Sequence, residues 1–227
     1  MTTADSHTTY SLPSRAGLTD VLVTPNGVTG SRKQPFGRAL EFAHAAVRIV
    51  LKARRTDNTV GKLYVKNLKL TVPARLVCGG LKWDTGTKQY LAAPAAADLV
   101  INHSGQILST EDTQVAVFYL TPCSPADLLT DLTGTGGTPG LTLTADVAKD
   151  INFTTGARNA SFPILDGNLN FMDQFGSPAT QLKGGESYET TLKFDIDSFT
   201  LEGEEKEWED GGKMTVPVVV PEPTPGP

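Results

Sequence analysis

The chain has 227 residues, enough for one large domain or two small ones with a real buried core. Its 20 Lys and Arg against 25 Asp and Glu leave a net charge of -5, the wrong sign for a protein whose main partner is nucleic acid. The longest nearly apolar stretch, Leu91 to Val100, is far too short to cross a bilayer, which excludes a membrane-spanning helix in this chain.

The 29 Thr, 22 Gly and 15 Pro suit many short strands joined by turns, so the composition points to an all-β fold. Residues 1–19 are polar and without a period, and read as a flexible N-terminal arm that orders only where something ties it down. The opening MTTADSHTTYSL has no basic stretch followed by an apolar run, so the chain as given carries no secretory signal. Asp20-Val21-Leu22-Val23-Thr24 is a short strand closed by the turn signals Pro25-Asn26-Gly27.

From Ala39 to Ala53, Leu40, Phe42 and His44 alternate on one parity and Val47, Ile49 and Leu51 on the other. One residue is inserted near Ala45 or Ala46, which predicts a strand with a bulge or a short helical turn near residues 43–47. Tyr64 to Val72 reads as a half-buried strand with Tyr64, Leu68, Leu70 and Val72 on one side and Val65, Asn67, Lys69 and Thr71 opposite. Leu81 to Thr87 is a strand end followed by a Gly turn, and Val115 to Leu120, apolar on both faces, is expected to be a covered central strand.

Gly, Thr, Pro and Ser concentrate between Pro122 and Gly140, where the chain is expected to pass between domains. Leu141, Leu143, Ala145 and Val147 then alternate as a strand, and residues 150–180 read as loops with one or two short strands. Tyr188, Thr190, Leu192, Phe194 and Ile196 give the strongest β signal, with Phe199 and Leu201 on the other parity after an expected bulge at Asp197 or Ser198. The run Glu202 to Asp210 reads as a solvated acidic edge that discourages strand pairing between molecules. The expected organisation is an arm over 1–19, an N-terminal domain over 20–125, a linker over 126–140, a C-terminal domain over 141–212 and a Val/Pro-rich tail over 213–227.

Chemistry-bearing residues are sparse. Cys123 has no base to activate it beyond His44 or His103, and the histidines at 7, 44 and 103 form no metal-ligand spacing. Cys78 and Cys123, with no CxxC and no nearby histidine, leave open one disulfide or two buried thiols. The glycines of TGTGGTPG lack the Lys-Ser/Thr ending of a phosphate loop. The expectation is a protein that is not an enzyme and uses no cofactor and no metal.

The order of segments carries more than any one of them. Asp20-Val21-Leu22-Val23 followed by Leu40-Glu41-Phe42-Ala43-His44-Ala45-Ala46-Val47-Arg48-Ile49 resembles a passage of the fimbrillin family, the Mfa-like fimbrial subunits of Bacteroidales, whose fibre is a type V pilus. The same order continues through Tyr64-Val65-Lys66-Asn67-Leu68, Gly80-Leu81-Lys82-Trp83 and Val117-Phe118-Tyr119-Leu120-Thr121-Pro122, then Gly184 to Leu192 and Glu205 to Gly211.

The resemblance implies two β-sandwich domains of transthyretin-like topology, export as a lipoprotein to the outer membrane and cell surface, and assembly with other fimbrial subunits into an adhesive fimbria by strand donation. It implies a donor strand, for which Val216, Val218, Val219 and Val220 are the terminal apolar candidates, and an arginine processing site, for which Arg15-Ala16 stands in the arm. Against that family the N-terminal end is short, so the expectation is a trimmed or incomplete exported chain. The alternative is a monomeric secreted β-sandwich that binds glycan or host protein through Trp83, Tyr90 or loop residues 150–180.

Overall fold

The computed structural model describes residues 9–12, 14–24, 40–55, 64–105, 110–124, 127, 140–148, 150–154, 158–163, 182–194, 199–206 and 214–216. The described residues are almost entirely β. The strands are β1 (Tyr10–Ser11), β2 (Leu22–Val23), β3 (Leu40–His44), β4 (Val47–Arg55), β5 (Tyr64–Val72), β6 (Cys78–Asp84) and β7 (Gln89–Pro94). They continue as β8 (Leu99–His103), β9 (Thr113–Leu120), β10 (Thr142–Ala148), β11 (Arg158–Pro163), β12 (Ser187–Phe194), β13 (Phe199–Lys206) and β14 (Met214–Val216).

The parity change at Ala45 and Ala46 is a corner. β3 ends at His44, β4 begins at Val47, and the two halves join different sheets: β3 lies between β14 and β2, while β4 lies between β12 and β9. Ala46 at the corner is fully buried, and a small side chain is what allows two sheets to close there. Beyond it Val47, Ile49, Val50, Leu51 and Ala53 are all buried.

Two four-stranded sheets face each other, β13-β12-β4-β9 and β11-β10-β5-β8. Their inward residues make one core: Val47, Ile49, Leu51, Phe118, Leu120, Tyr188 and Leu192 from the first sheet meet Val65, Leu68, Leu70, Val72, Leu99, Leu141 and Leu143 from the second. Strands on either side of residues 126–140 are bonded to each other in both sheets. β10 runs antiparallel to β5, with Leu143 opposite Leu70, and β12 runs parallel to β4, with Tyr188 opposite Ile49. The two segments read as separate sandwiches therefore share sheets and a core. A Gly/Thr/Pro-rich composition marks where the chain leaves a sheet, and carries no information about which sheet it re-enters.

Two strands depart from their expected patterns. At the start of β5 the buried residue is Val65, not Tyr64, because Asn67 takes a left-handed conformation (φ 51°) and the β5–β10 register shifts opposite it. This is a bulge at a residue type that tolerates positive φ, and the Asn67 amide donates to Asp146 at 2.7 Å across the same pair of strands. β9 is the outermost strand of its sheet and not a central one. Its apolar outer neighbours follow from a covered edge: Tyr119 N donates to Gly17 O, Thr121 N donates to Leu76 O, and Val77 forms a bridge with Leu120.

The parity change expected as a bulge at 197 or 198 is a reversal of the chain, since β12 and β13 pair antiparallel with Phe194 opposite Phe199. β13, which carries Glu202, Glu204 and Glu205, is an outer strand of its sheet, where charge opposes edge-to-edge association.

Candidate assembly site

The two ends of the described chain attach through unusually short strands. Near the N-terminus, β1 pairs with the outer side of β6, Tyr10 opposite Leu81 and Ser11 opposite Gly80. Leu12 N then donates to Gly79 O at 2.8 Å and Gly17 N to Cys78 O at 2.7 Å. Gly17 O accepts from Tyr119 N at 2.9 Å, so the turn after β1 bridges β6 and β9. The segment continues into β2, which pairs with β3 at Leu22–His44 and Val23–Ala43, and Ala45 N donates to Val21 O at 2.8 Å. Residues 9–12 and 14–24 thus form a strap across three sheets, and the tie that orders this polar arm is main-chain hydrogen bonding.

One side-chain lock accompanies those bonds. His44 Nδ1 lies 2.5 Å from Asp20 Oδ2, with the imidazole 8% exposed and the carboxylate 26% exposed. A carboxylate held there satisfies an imidazole that would otherwise be costly to bury at the end of an apolar strand. His44 is accordingly a hydrogen-bonded structural histidine. Burial, then the charge of Asp20, raise the Tyr119 phenol above its ordinary range, with Arg48 partly opposing them.

Arg15 is exposed in the turn of residues 14–18, and Ala16 beside it is half-buried against the main core. Val216 lies in β14, opposite Leu40, where Thr215 and Met214 face Glu41 and Phe42. Val218, Val219 and Val220 lie outside the described residues. The structure thus brings Val216 to β3 and leaves Arg15 in the strap on a different set of strands. β3 is a central strand whose neighbours, β2 with two residues and β14 with three, come from opposite ends of the chain.

Gly80 of β6, quoted above only as part of a sequence passage, is where the strap's first strand is seated. Gly80 has φ 149°, and a Cβ there would stand 1.9 Å from Tyr10 O. Backbone cannot yield by that much, so Gly80→Ala is expected to expel β1 while leaving β6 paired with β7. Amide exchange at Leu12 should accelerate about tenfold or more, with β4 and β5 amides unchanged.

The candidate disulfide between Cys78 and Cys123 is not formed: both cysteines are free and buried. They belong to different clusters, Cys78 with Val21 and Ala46 and Cys123 with the main core. Burial raises both thiols, Cys123 to about 12 from 9.0. Neither has the thiolate character a nucleophile needs.

Between about pH 9 and 12 the unfolded chain loses a proton that folded Cys123 keeps, so stability falls as pH rises through that window. Urea midpoints of the parent should fall more steeply than those of Cys123→Ala from neutral pH to about pH 11. Both thiols should resist iodoacetamide until denaturant is added.

No protein-family model matches the chain, and no curated protein matches it. Among solved structures it is similar to a fimbrial protein from Bacteroides vulgatus, with 15% identity, a TM-score of 0.41, and coverage of 74% of this chain and 55% of that one. It is also similar to the tip fimbrial protein Mfa3 from Porphyromonas gingivalis with C-terminal truncation, with 10% identity, a TM-score of 0.36, and coverage of 80% and 59%. The chain therefore spans little more than half the length of these structures.

Proposed function

We propose that this chain is a non-enzymatic structural or tip subunit of a bacterial cell-surface fimbria, exported as an outer-membrane lipoprotein and assembling with other fimbrial subunits by strand donation. The observation that carries the reading is the attachment of the first and last described segments through two- and three-residue strands at the margins of the sheets. Such strands contribute few main-chain bonds, and each leaves behind an edge that another extended segment can take. The ordered set of sequence passages from Asp20 to Gly211 supports the same family of assemblies.

In this reading, cleavage between Arg15 and Ala16 releases β1 from β6, while residues 16–24 stay bonded to β9 and β3. The tail bearing Val216, Val218, Val219 and Val220 then pairs with a neighbour in place of its own β3. Pro217 removes one ladder donor, so the valines on either side carry the pairing.

Size exclusion with light scattering, after arginine-specific proteolysis, tests this on chains with and without residues 213–227. Concentration-dependent polymers that disappear on truncation and in Arg15→Ala are expected. A monomer under all conditions would overturn strand donation.

A further inference from the structure

The β1-β6-β7 ribbon carries an aromatic ledge that the assembly reading does not use. Trp83 on β6 stands directly opposite Tyr90 on β7, with ring centroids 5.1 Å apart and planes at 71°. Tyr10 on β1 lies on the same face, because it is opposite Leu81, two residues from Trp83. β1 and β7 are separated by β6, about 9.5 Å across two strand spacings. Yet the Tyr10 and Tyr90 centroids are only 5.7 Å apart, at 58°, so the two phenol rings lean toward each other over β6.

Leu81 and Ala92 on this face pack on the small cluster of Val21, Ala46 and Cys78, and the three rings extend the face beyond it. Tyr10 is 56% exposed, and among the described residues neither Tyr10 nor Tyr90 has a hydrogen-bond partner for its hydroxyl. Among the described residues of β1, β6 and β7, those on this face are uncharged: Lys82 and Asp84 alternate to the opposite side of β6.

From this geometry we infer that the ledge formed by Tyr10, Trp83 and Tyr90 is a binding site for a neutral pyranose oligosaccharide. A pyranose presents a flat patch of C–H groups ringed by hydroxyls. Tilted aromatic rings offer apolar faces to the first, and the two phenol groups offer hydrogen bonds to the second. The uncharged face selects against sialylated or sulfated glycans and gives a phosphate headgroup nothing to pair with.

This inference does not rest on the fimbrial reading, and it is tested on monomer without proteolysis. The chain has two tryptophans, so Trp208→Phe leaves Trp83 as the single indole reporter. Laminarihexaose and lactose serve as neutral probes and 3'-sialyllactose as the charged one. Saturable change in Trp83 emission, and protection from acrylamide quenching, are expected with a neutral probe. The affinity should fall about tenfold or more in Tyr10→Ala and stay unchanged in Leu91→Ser on the opposite face.

If Trp208→Phe fails to fold, the indole 15N resonances of the full chain, assigned with Trp83→Phe, read the same contact. No response to either neutral probe at millimolar concentration would overturn the proposal, as would an equal response in Tyr10→Ala or stronger binding of sialyllactose. A saccharide-independent dimer that buries Trp83 and is lost in Tyr10→Ala would assign the ledge to a second copy of the chain and overturn it equally.

Discussion

Leu143→Ala is expected to cost about 2–5 kcal/mol and to lower the stability of the whole described molecule in one cooperative transition. Leu143 is fully buried on β10, opposite Leu70 of β5 and Phe162 of β11, in the core it shares with Val47, Phe118 and Tyr188. Truncation removes three carbons from a site walled by strands on both flanks and by the opposing sheet, which limits how far the cavity can collapse. Urea unfolding followed by tyrosine and tryptophan emission and by far-UV circular dichroism should give coincident curves, both displaced. Two transitions, of which Leu143→Ala moves only one, would show that the segments on either side of residues 126–140 are separate cooperative units.

The second large effect is expected at Gly17. Its φ of 70° lies in the left-handed region, and a Cβ there would stand 2.7 Å from both Leu99 Cδ2 and Val77 Cγ1. Gly17→Val combines about 1–2 kcal/mol of left-handed backbone cost with about 1–3 kcal/mol of overpacking. The same residue gives its N–H to Cys78 and receives the N–H of Tyr119, so the strain falls on the joint between β6 and β9. Amide exchange at Gly17 and Tyr119 should rise with it, whereas the β12–β13 amides, separated from β9 by β4, should keep their protection. Gly17→Ala should show a smaller loss of the same kind.

Sequence patterns located several of the strands that bury one face and wet the other, though not β8, whose alternating Leu99, Ile101 and His103 were not read as a strand. The alternations of Leu141, Leu143 and Ala145, of Tyr188 and Leu192, and the switch at Ala45–Ala46 all follow burial that acts on neighbouring residues. Partner choice did not follow from those patterns. Nothing local in Ser187 to Phe194 states that it runs parallel to β4, and nothing in Tyr64 to Val72 names β10 as a neighbour, because those choices are settled by contacts between distant segments.

The bulge at Asn67 was masked by the regular spacing of Leu68, Leu70 and Val72. At the candidate site, Arg15 and Val216 were visible as a lone cation and a terminal valine run. The strap itself was hidden, since it is made of main-chain bonds at Gly17, Gly79 and Gly80 that side-chain patterns do not encode.

The parallel pairing of β4 with β12 also dictates the order in which the molecule can be completed. Arg48 and Ser187 meet across 139 residues, and Lys52 and Glu189, at 2.6 Å, across 137. Ribosomes deliver these partners in sequence, at about 5–20 residues per second, so β4 and β5 emerge several seconds before the strands that cover one side of each. Closing loops of that length is slow, which places this chain among the high-contact-order folders and gives its early segments a window in which their open strand edges meet chaperones, translocation machinery or other chains first.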